Sequence, residues 1–396
     1  MTPIRIEGGR ALTATAGFQD TDLLLAEDRI AGIGDGVGGT AHGAARVLDA
    51  RGLLVLPGIV DIHGDAFERQ VQPRPGVGFP VGMALRETEA QLLASGITTA
   101  FHGITLSWEP GLRGAEAWRE LVDALAAGAW DCDMRVHLRW EAFNLDALEM
   151  ALADIAAGRV HLLAFNDHTP AILRRVADPV TAAKYSDRAG MSVAAFRAVA
   201  ERVGAMAGAV PAGLDRIAAA ARAAGLPMAS HDDDTLAARA GFRARGASIS
   251  EFPVAEDVAR AARAAGDWVV MGCPNVVRGG SHLGWASAAA MVEAGICTVL
   301  CSDYFYPAMP AAPFVLARRG GLDLAAAWAL VSANPAAAAG LADRGRIAPD
   351  LRADLVLVDA ARERVVTTIA AGRLVYLGPD AADRLIPGDS EDNSGR

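Results

Sequence analysis

His63 and Asp65 stand two residues apart where the short run Ile59-Val60-Asp61-Ile62 gives out. Imidazole and carboxylate are ligand types for zinc-like ions. In a strand, residues i and i+2 point to one face, so a single ion can meet both. An ion held there would polarise a carbonyl or phosphoryl oxygen and activate water at neutral pH. The competing reading is a polar strand end with no ion, since short metal motifs recur by chance.

Similar residues recur along the chain. Glu141 closes the run His137-Leu138-Arg139-Trp140, His168 follows Asn166-Asp167, His231 follows Ser230, and Asp303 follows Ser302. Each would end or follow a strand, and side chains at one rim of a barrel converge on one pocket. Glu141 is the candidate bridging carboxylate. Asp303 is a candidate ligand and the candidate catalytic base. His168 precedes Thr169-Pro170 and is a ligand or a helix cap. Glu251 is a ligand or the partner of a neighbouring His. Asp232-Asp233-Asp234-Thr235 reads first as helix N-terminal chemistry, with a metal role for Asp232 second. The implied cofactor is a divalent metal, one or two ions, zinc first with manganese or iron as alternatives.

A second group of residues suits an anion. Asn275 and Arg278 follow the seventh strand, and His282 closes Arg278-Gly279-Gly280-Ser281-His282. Glycine pairs let backbone N–H groups approach phosphate, and many barrels bind phosphate near strands seven and eight. Arg74 is set in a Pro-Arg-Pro-Gly turn. Arg139 shares a strand face with Glu141.

These residues need elements that bring them together. The centre alternates apolar strands with Ala-rich helices, which argues for a parallel sheet. The expected strands are 58–63, 97–102, 134–140, 160–166, 226–231, 248–252, 268–273 and 296–302. A connection over 167–225 should hold about two helices and cover the site. Strict alternation would put Cys297, Val299, Cys301 and Asp303 on one face of the eighth strand, with the thiols beneath the metal site. Short strands cluster at both ends of the chain, which suggests one composite β unit. The expected division is 1–56 for the N-terminal part of that unit, 57–344 for the α/β centre, 345–380 for its C-terminal part and 381–396 for a mobile tail.

The 396 residues include 52% hydrophobic side chains, ample for a core, and carry a formal charge of −10. That acidity disfavours a nucleic-acid surface. No secretory core and no membrane span are expected. The cysteines form no Cys-x-x-Cys pair and suit reduced thiols in a cytoplasmic protein.

The run Leu56–Asp65 resembles the first barrel strand of the amidohydrolase superfamily, with Asp65 where the pattern usually has a second His. Further matches are Asn166-Asp167-His168-Thr169-Pro170, Ser230-His231-Asp232-Asp233-Asp234-Thr235, Ser250-Glu251-Phe252-Pro253, Pro274-Asn275-Val276-Val277-Arg278 and Ser302-Asp303-Tyr304. The resemblance implies a TIM-like (β/α)8 barrel with a small β-sandwich built from both termini. Many relatives end strand four with a carboxylated Lys; here Lys184 lies in the long connection instead. With the following Ala66-Phe67-Glu68-Arg69 and Gln72-Pro73-Arg74-Pro75-Gly76-Val77, the departure at Asp65 resembles the phosphonate-degradation branch. That branch implies a diphosphatase acting on a phosphorylated sugar, ribose 1-methylphosphonate 5-triphosphate. The alternatives are a family amidase or deaminase acting on a C–N bond, and a non-catalytic barrel scaffold. No nucleic-acid or membrane partner is expected, and a homo-oligomer stays open.

Overall fold

The structure is a computed structural model that describes residues 2–34, 37, 45–74, 76–280 and 287–386. Eight consecutive strands form one parallel sheet in chain order. They are β1 (Ile59–Gly64), β2 (Ile97–Leu106), β3 (Asp133–Glu141), β4 (Leu162–Asn166), β5 (Met228–His231), β6 (Ile249–Glu251), β7 (Trp268–Gly272) and β8 (Val299–Cys301). Each of the eight expected strands is present. A parallel bridge between Gly64 and Asp303 brings the last strand back to the first. There Asp303 N donates to His63 O at 3.0 Å and Asp65 N donates to Asp303 O at 2.9 Å.

Alternation sorts the side chains into two layers. Along β3, Val136, Leu138 and Trp140 pack outward among the helices. The barrel interior is filled by Val60, Ile62, Phe101, Leu162, Ala164, Ala229, Ile249, Val270, Val299 and Cys301, with Ala336, Ala338 and Ala339 packed against them. That apolar plug leaves the polar members of the strands at the C-terminal rim.

One expected register is corrected. Val299 and Cys301 face the interior, but Cys297 packs in the outer layer. The strand begins only at Val299. Cys297 still belongs to the turn that follows the preceding helix, where its N–H donates to Met291 O at 3.1 Å. Alternation therefore does not extend back to it.

The long connection holds four helices rather than about two: α1 (Thr169–Arg175), α2 (Pro179–Ala189), α3 (Val193–Gly204) and α4 (Val210–Ala223). Pro170, Pro179 and Pro211 sit at first-turn positions, where a missing N–H costs nothing. Asp178 and Ser192 cap α2 and α3. The first three helices share a small core of Ile172, Val176, Ala182, Phe196 and Ala200, against which Trp108 packs.

Both chain ends contribute to both flanking sheets. In one, the order is 385–386, 46–49, 4–7, 23–26, 29–33; in the other, 373–377, 364–370, 355–359, 54–57, 10–13, 17–20. Ile4, Ile6, Leu23, Leu25 and Leu48 of the first share a core with Val55, Leu355, Leu357 and Ile369 of the second. Residues 381–386, grouped by sequence with the tail, include the strand Leu385–Ile386. The chain passes straight from Leu54–Pro57 into β1 through Gly58, where a Cβ would meet Thr98 Oγ1 at 2.5 Å. Among the described residues no helix is long and apolar enough to cross a membrane.

Candidate metal and active site

Glu251, at the end of β6, is the hub of the rim. It is buried, and its Oε2 lies 3.0 Å from His63 Nδ1 and 3.4 Å from His231 Nδ1. The two imidazoles stack with centroids 5.0 Å apart. His137 stands edge-on to His63, donates from Nδ1 to Ile62 O at 3.1 Å, and brings Nε2 to 3.8 Å from Glu251 Oε1. Neither that Nε2 nor that Oε1 has a hydrogen-bond partner. Burial, with Arg139 nearby, holds His63 and His231 well below the usual imidazole range, so both are neutral and carry a lone pair. Burial pushes Glu251 up to about 7. Gly103 on β2 leaves room for this packing: a Cβ there would stand 3.6 Å from His63 Nε2 and 3.2 Å from Arg139 Cδ.

A second cluster adjoins the first. His168 Nε2 lies 3.3 Å from Asp232 Oδ2, which is 3.6 Å from His231 Nε2. His168 Nδ1 lies 3.5 Å from Glu141 Oε2. Burial opposes its charge, yet the bonds to Asp232 and Glu141 outweigh burial and raise His168 to about 9. Glu141 Oε1 accepts from His168 N at 3.1 Å, Thr169 N at 3.1 Å and Thr169 Oγ1 at 2.7 Å. Trp108 Nε1 in turn donates to Thr169 Oγ1 at 2.8 Å. The first turn of α1 thus fixes the Glu141 carboxylate.

Arg139 occupies the space between these groups. Its Nη2 donates to His231 Nε2 at 2.8 Å, and its Nη1 lies 3.5 Å from Asp65. Asp65 and Asp303 are raised to about 6 and about 7, each by burial first and then by neighbouring carboxylates, with Arg139 opposing. The donors therefore already surround one cationic group. Asp61, fully buried, accepts from Ser302 N at 3.0 Å and Ser302 Oγ at 2.5 Å, which locks β1 to β8 beneath His63. Three residues that directly follow rim residues, Asp232, Phe252 and Asp303, have left-handed backbones with φ of 57°, 51° and 55°. Such conformations cost about 1–3 kcal/mol each and gather where a site demands them.

The ligand atoms fall into two groups whose members lie within 4.8 Å of one another: His63, His231 and Glu251, and His168, His231 and Asp232. Imidazoles with carboxylates, partly orphaned and buried, fit a divalent metal. The expected ligands Asp65, Glu141 and Asp303 border these groups without belonging to them. The structure adds Glu251 and Asp232, which sequence reasoning gave as second choices, to the clustered groups. Glu251 reads as one more strand end, and its meeting with two imidazoles is made across the barrel. Asp61 lay inside the motif, but its depth below the rim carries no sequence signal.

Of the expected anion-binding residues, Arg139 lies on β3, Arg74 follows β1, and Asn275 and Arg278 lie on the helix after β7. Arg278 ends the helix Cys273–Arg278 and is exposed. Asn275 Oδ1 accepts from Ala288 N at 3.0 Å, anchoring the next helix. Arg74 is exposed after β1. His282 lies outside the described residues.

Comparison with known proteins fits this geometry. The model of the amidohydrolase family matches residues 54–375. The chain is 32% identical over 318 residues, 78% of its length and 84% of the relative's, to the alpha-D-ribose 1-methylphosphonate 5-triphosphate diphosphatase of Escherichia coli (strain K12). Among solved structures, a β-aspartyl dipeptidase from Fervidobacterium islandicum-AW-1 superposes with TM-score 0.62 at 14% identity, covering 95% of this chain and 97% of that one. A triazine hydrolase variant superposes with TM-score 0.65 at 14% identity, covering 98% and 97%. At such identities these two speak for the fold alone.

Proposed function

Since the chain belongs to the amidohydrolase family, we propose that it is a metal-dependent diphosphatase acting on alpha-D-ribose 1-methylphosphonate 5-triphosphate. The single observation that carries the hydrolase reading is the buried junction of His63, His231 and Glu251 at the barrel rim. The substrate comes from the Escherichia coli relative.

His63, His231 and Glu251 would hold a divalent ion, zinc first; His168 and Asp232 stand on the other side of His231 as candidate ligands of a second ion. Asp65 and Glu141 border the pair and complete its negative surround. When bound, the metal supplies positive charge that polarises a phosphoryl oxygen. Asp303 sits beside Asp65 at the mouth of the barrel and takes the proton of the attacking water. Attack falls on the α phosphorus, the bond to the β phosphate breaks, and diphosphate leaves. Arg74, Arg139, Asn275, Arg278 and His282 are the groups assigned to the phosphates, whose charge spreads in a loose transition state. Arg139 donates to His231 Nε2 in this structure, and like-charge repulsion from a bound ion would favour turning its guanidinium toward the substrate.

The test joins metal analysis to turnover. Protein purified without chelator should carry at least one equivalent of zinc, manganese or iron. It should release diphosphate from ribose 5-triphosphates and leave N-acyl and lactam compounds intact. No metal, with no activity regained on adding these ions, would sink the hydrolase reading. Metal with C–N hydrolysis only would replace the substrate.

A further inference from the structure

We propose that Arg69, Arg278 and Tyr304 form a subsite for the terminal phosphates of a polyphosphate substrate. The inference rests on the diphosphatase reading and adds Arg69 and Tyr304 to it. Tyr304 directly follows Asp303, so its backbone leaves the rim at the candidate reactive centre. Two guanidinium groups converge on it from different loops. Arg69 belongs to the helix Glu68–Val71 after β1; its Nη2 donates to Tyr304 O at 3.0 Å, and its guanidinium carbon lies 5.8 Å from the ring centroid. Arg278 comes from the helix after β7, and its Nη1 donates to Tyr304 Oη at 3.1 Å.

Among the described residues neither arginine has a carboxylate at ion-pair distance. The acid nearest Arg69 in sequence, Glu68, is taken by Arg113, which donates to both its oxygens at 3.2 and 3.1 Å. Two exposed, like-charged groups gathered at one side chain repel each other, and an anion placed between them relieves that repulsion. Planar guanidinium groups with several N–H donors match phosphate oxygens in pairs. Open space adjoins Arg69 and Tyr304 on the side away from Arg278: the two line a cavity of about 460 Å³ with Gln91, Phe305, Glu363 and Arg364. Tyr304 is the residue next to Asp303, so a diphosphate departing from a phosphorus near Asp303 would have this subsite within reach.

Inorganic triphosphate is the probe, titrated calorimetrically into the full chain at matched metal content. Arg69→Met and Arg278→Met should each weaken binding about tenfold, the scale of a lost charge-assisted bond. Arg69→Lys should keep most of the affinity, and Arg202→Ala, on a surface pair with Asp146, should keep all of it. With the ribose triphosphate, KM should rise more than kcat falls. Parent-like affinity for triphosphate in Arg69→Met, or a kcat loss with affinity intact, would overturn the subsite, the latter by showing that Arg69 only holds the turn. Failure of the diphosphatase reading looks different. There the parent binds inorganic triphosphate through Arg69 but does not hydrolyse the ribose triphosphate, and the subsite stands for another polyphosphate.

Discussion

Glu251 shows what one carboxylate does at this rim. Its Oε2 faces two imidazole Nδ1 atoms at 3.0 and 3.4 Å. Glu251→Gln keeps the shape but removes the charge that a cation needs. Metal affinity should fall by about 10–100-fold, the scale seen when a partner of metal-binding histidines is lost. Competition with a chelating dye measures this; unchanged affinity would exclude Glu251 from the site. Thr169 acts at one remove. Its hydroxyl accepts from Trp108 and donates to Glu141. Thr169→Val keeps the branched shape, leaves the Trp108 N–H unpaired and removes one donor from a buried carboxylate. Stability should drop by about 1–3 kcal/mol, and Thr169→Ser should restore most of it. Denaturant unfolding of both variants decides.

At the scale of elements, the insertion α1–α3 is a distinct packing unit. Its core is small and centres on Phe196, which is fully buried against Trp108 and Tyr185. Phe196→Ala should cost about 3–5 kcal/mol, most of it within this unit. Limited proteolysis should then cut within 169–204 while the barrel stays resistant. Cleavage spread evenly over the chain would show that the insertion does not open by itself. The same unit supplies Thr169 and His168 to the rim, so its loosening should lower activity as well. Proline positions mark these helices, yet periodicity alone suggested fewer, because short helices give little pattern to read.

At the scale of the whole molecule, the flanking sheets tie the ends of the chain to the barrel. Strand 355–359 lies between 364–370 and 54–57, and the latter leads directly into β1. Val356, Val358 and Val365 pack into the outer layer of the barrel, and Thr368 Oγ1 donates to Leu93 O at 2.7 Å. Ending the chain at residue 350 would expose that layer and leave 54–57 as a bare edge. Such a chain should aggregate on expression, and co-expressing residues 351–396 as a separate piece should recover soluble protein. Soluble yield and circular dichroism test it; a soluble, native-like truncation would make the sheets an independent appendage.

The sequence alone determined the barrel's strands and which residues stand at their ends. Apolar runs of strand length, each closed by a polar residue, are local patterns. A parallel barrel then gathers strand ends at one rim whatever their separation in the chain, which is why His63 and His168 both come against His231. Alternation within a strand was also legible, and it held for Val299 and Cys301. It failed at Cys297, where only the turn after the preceding helix shows that the strand starts later. What tertiary structure decided was which ends touch. Glu251 against His63 and His231, Arg139 between His231 and Asp65, and Arg69 with Arg278 on Tyr304 all join residues from different strands or loops. Those meetings depend on the stagger and curvature of the closed sheet and on side-chain reach, quantities set by packing rather than by spacing along the chain.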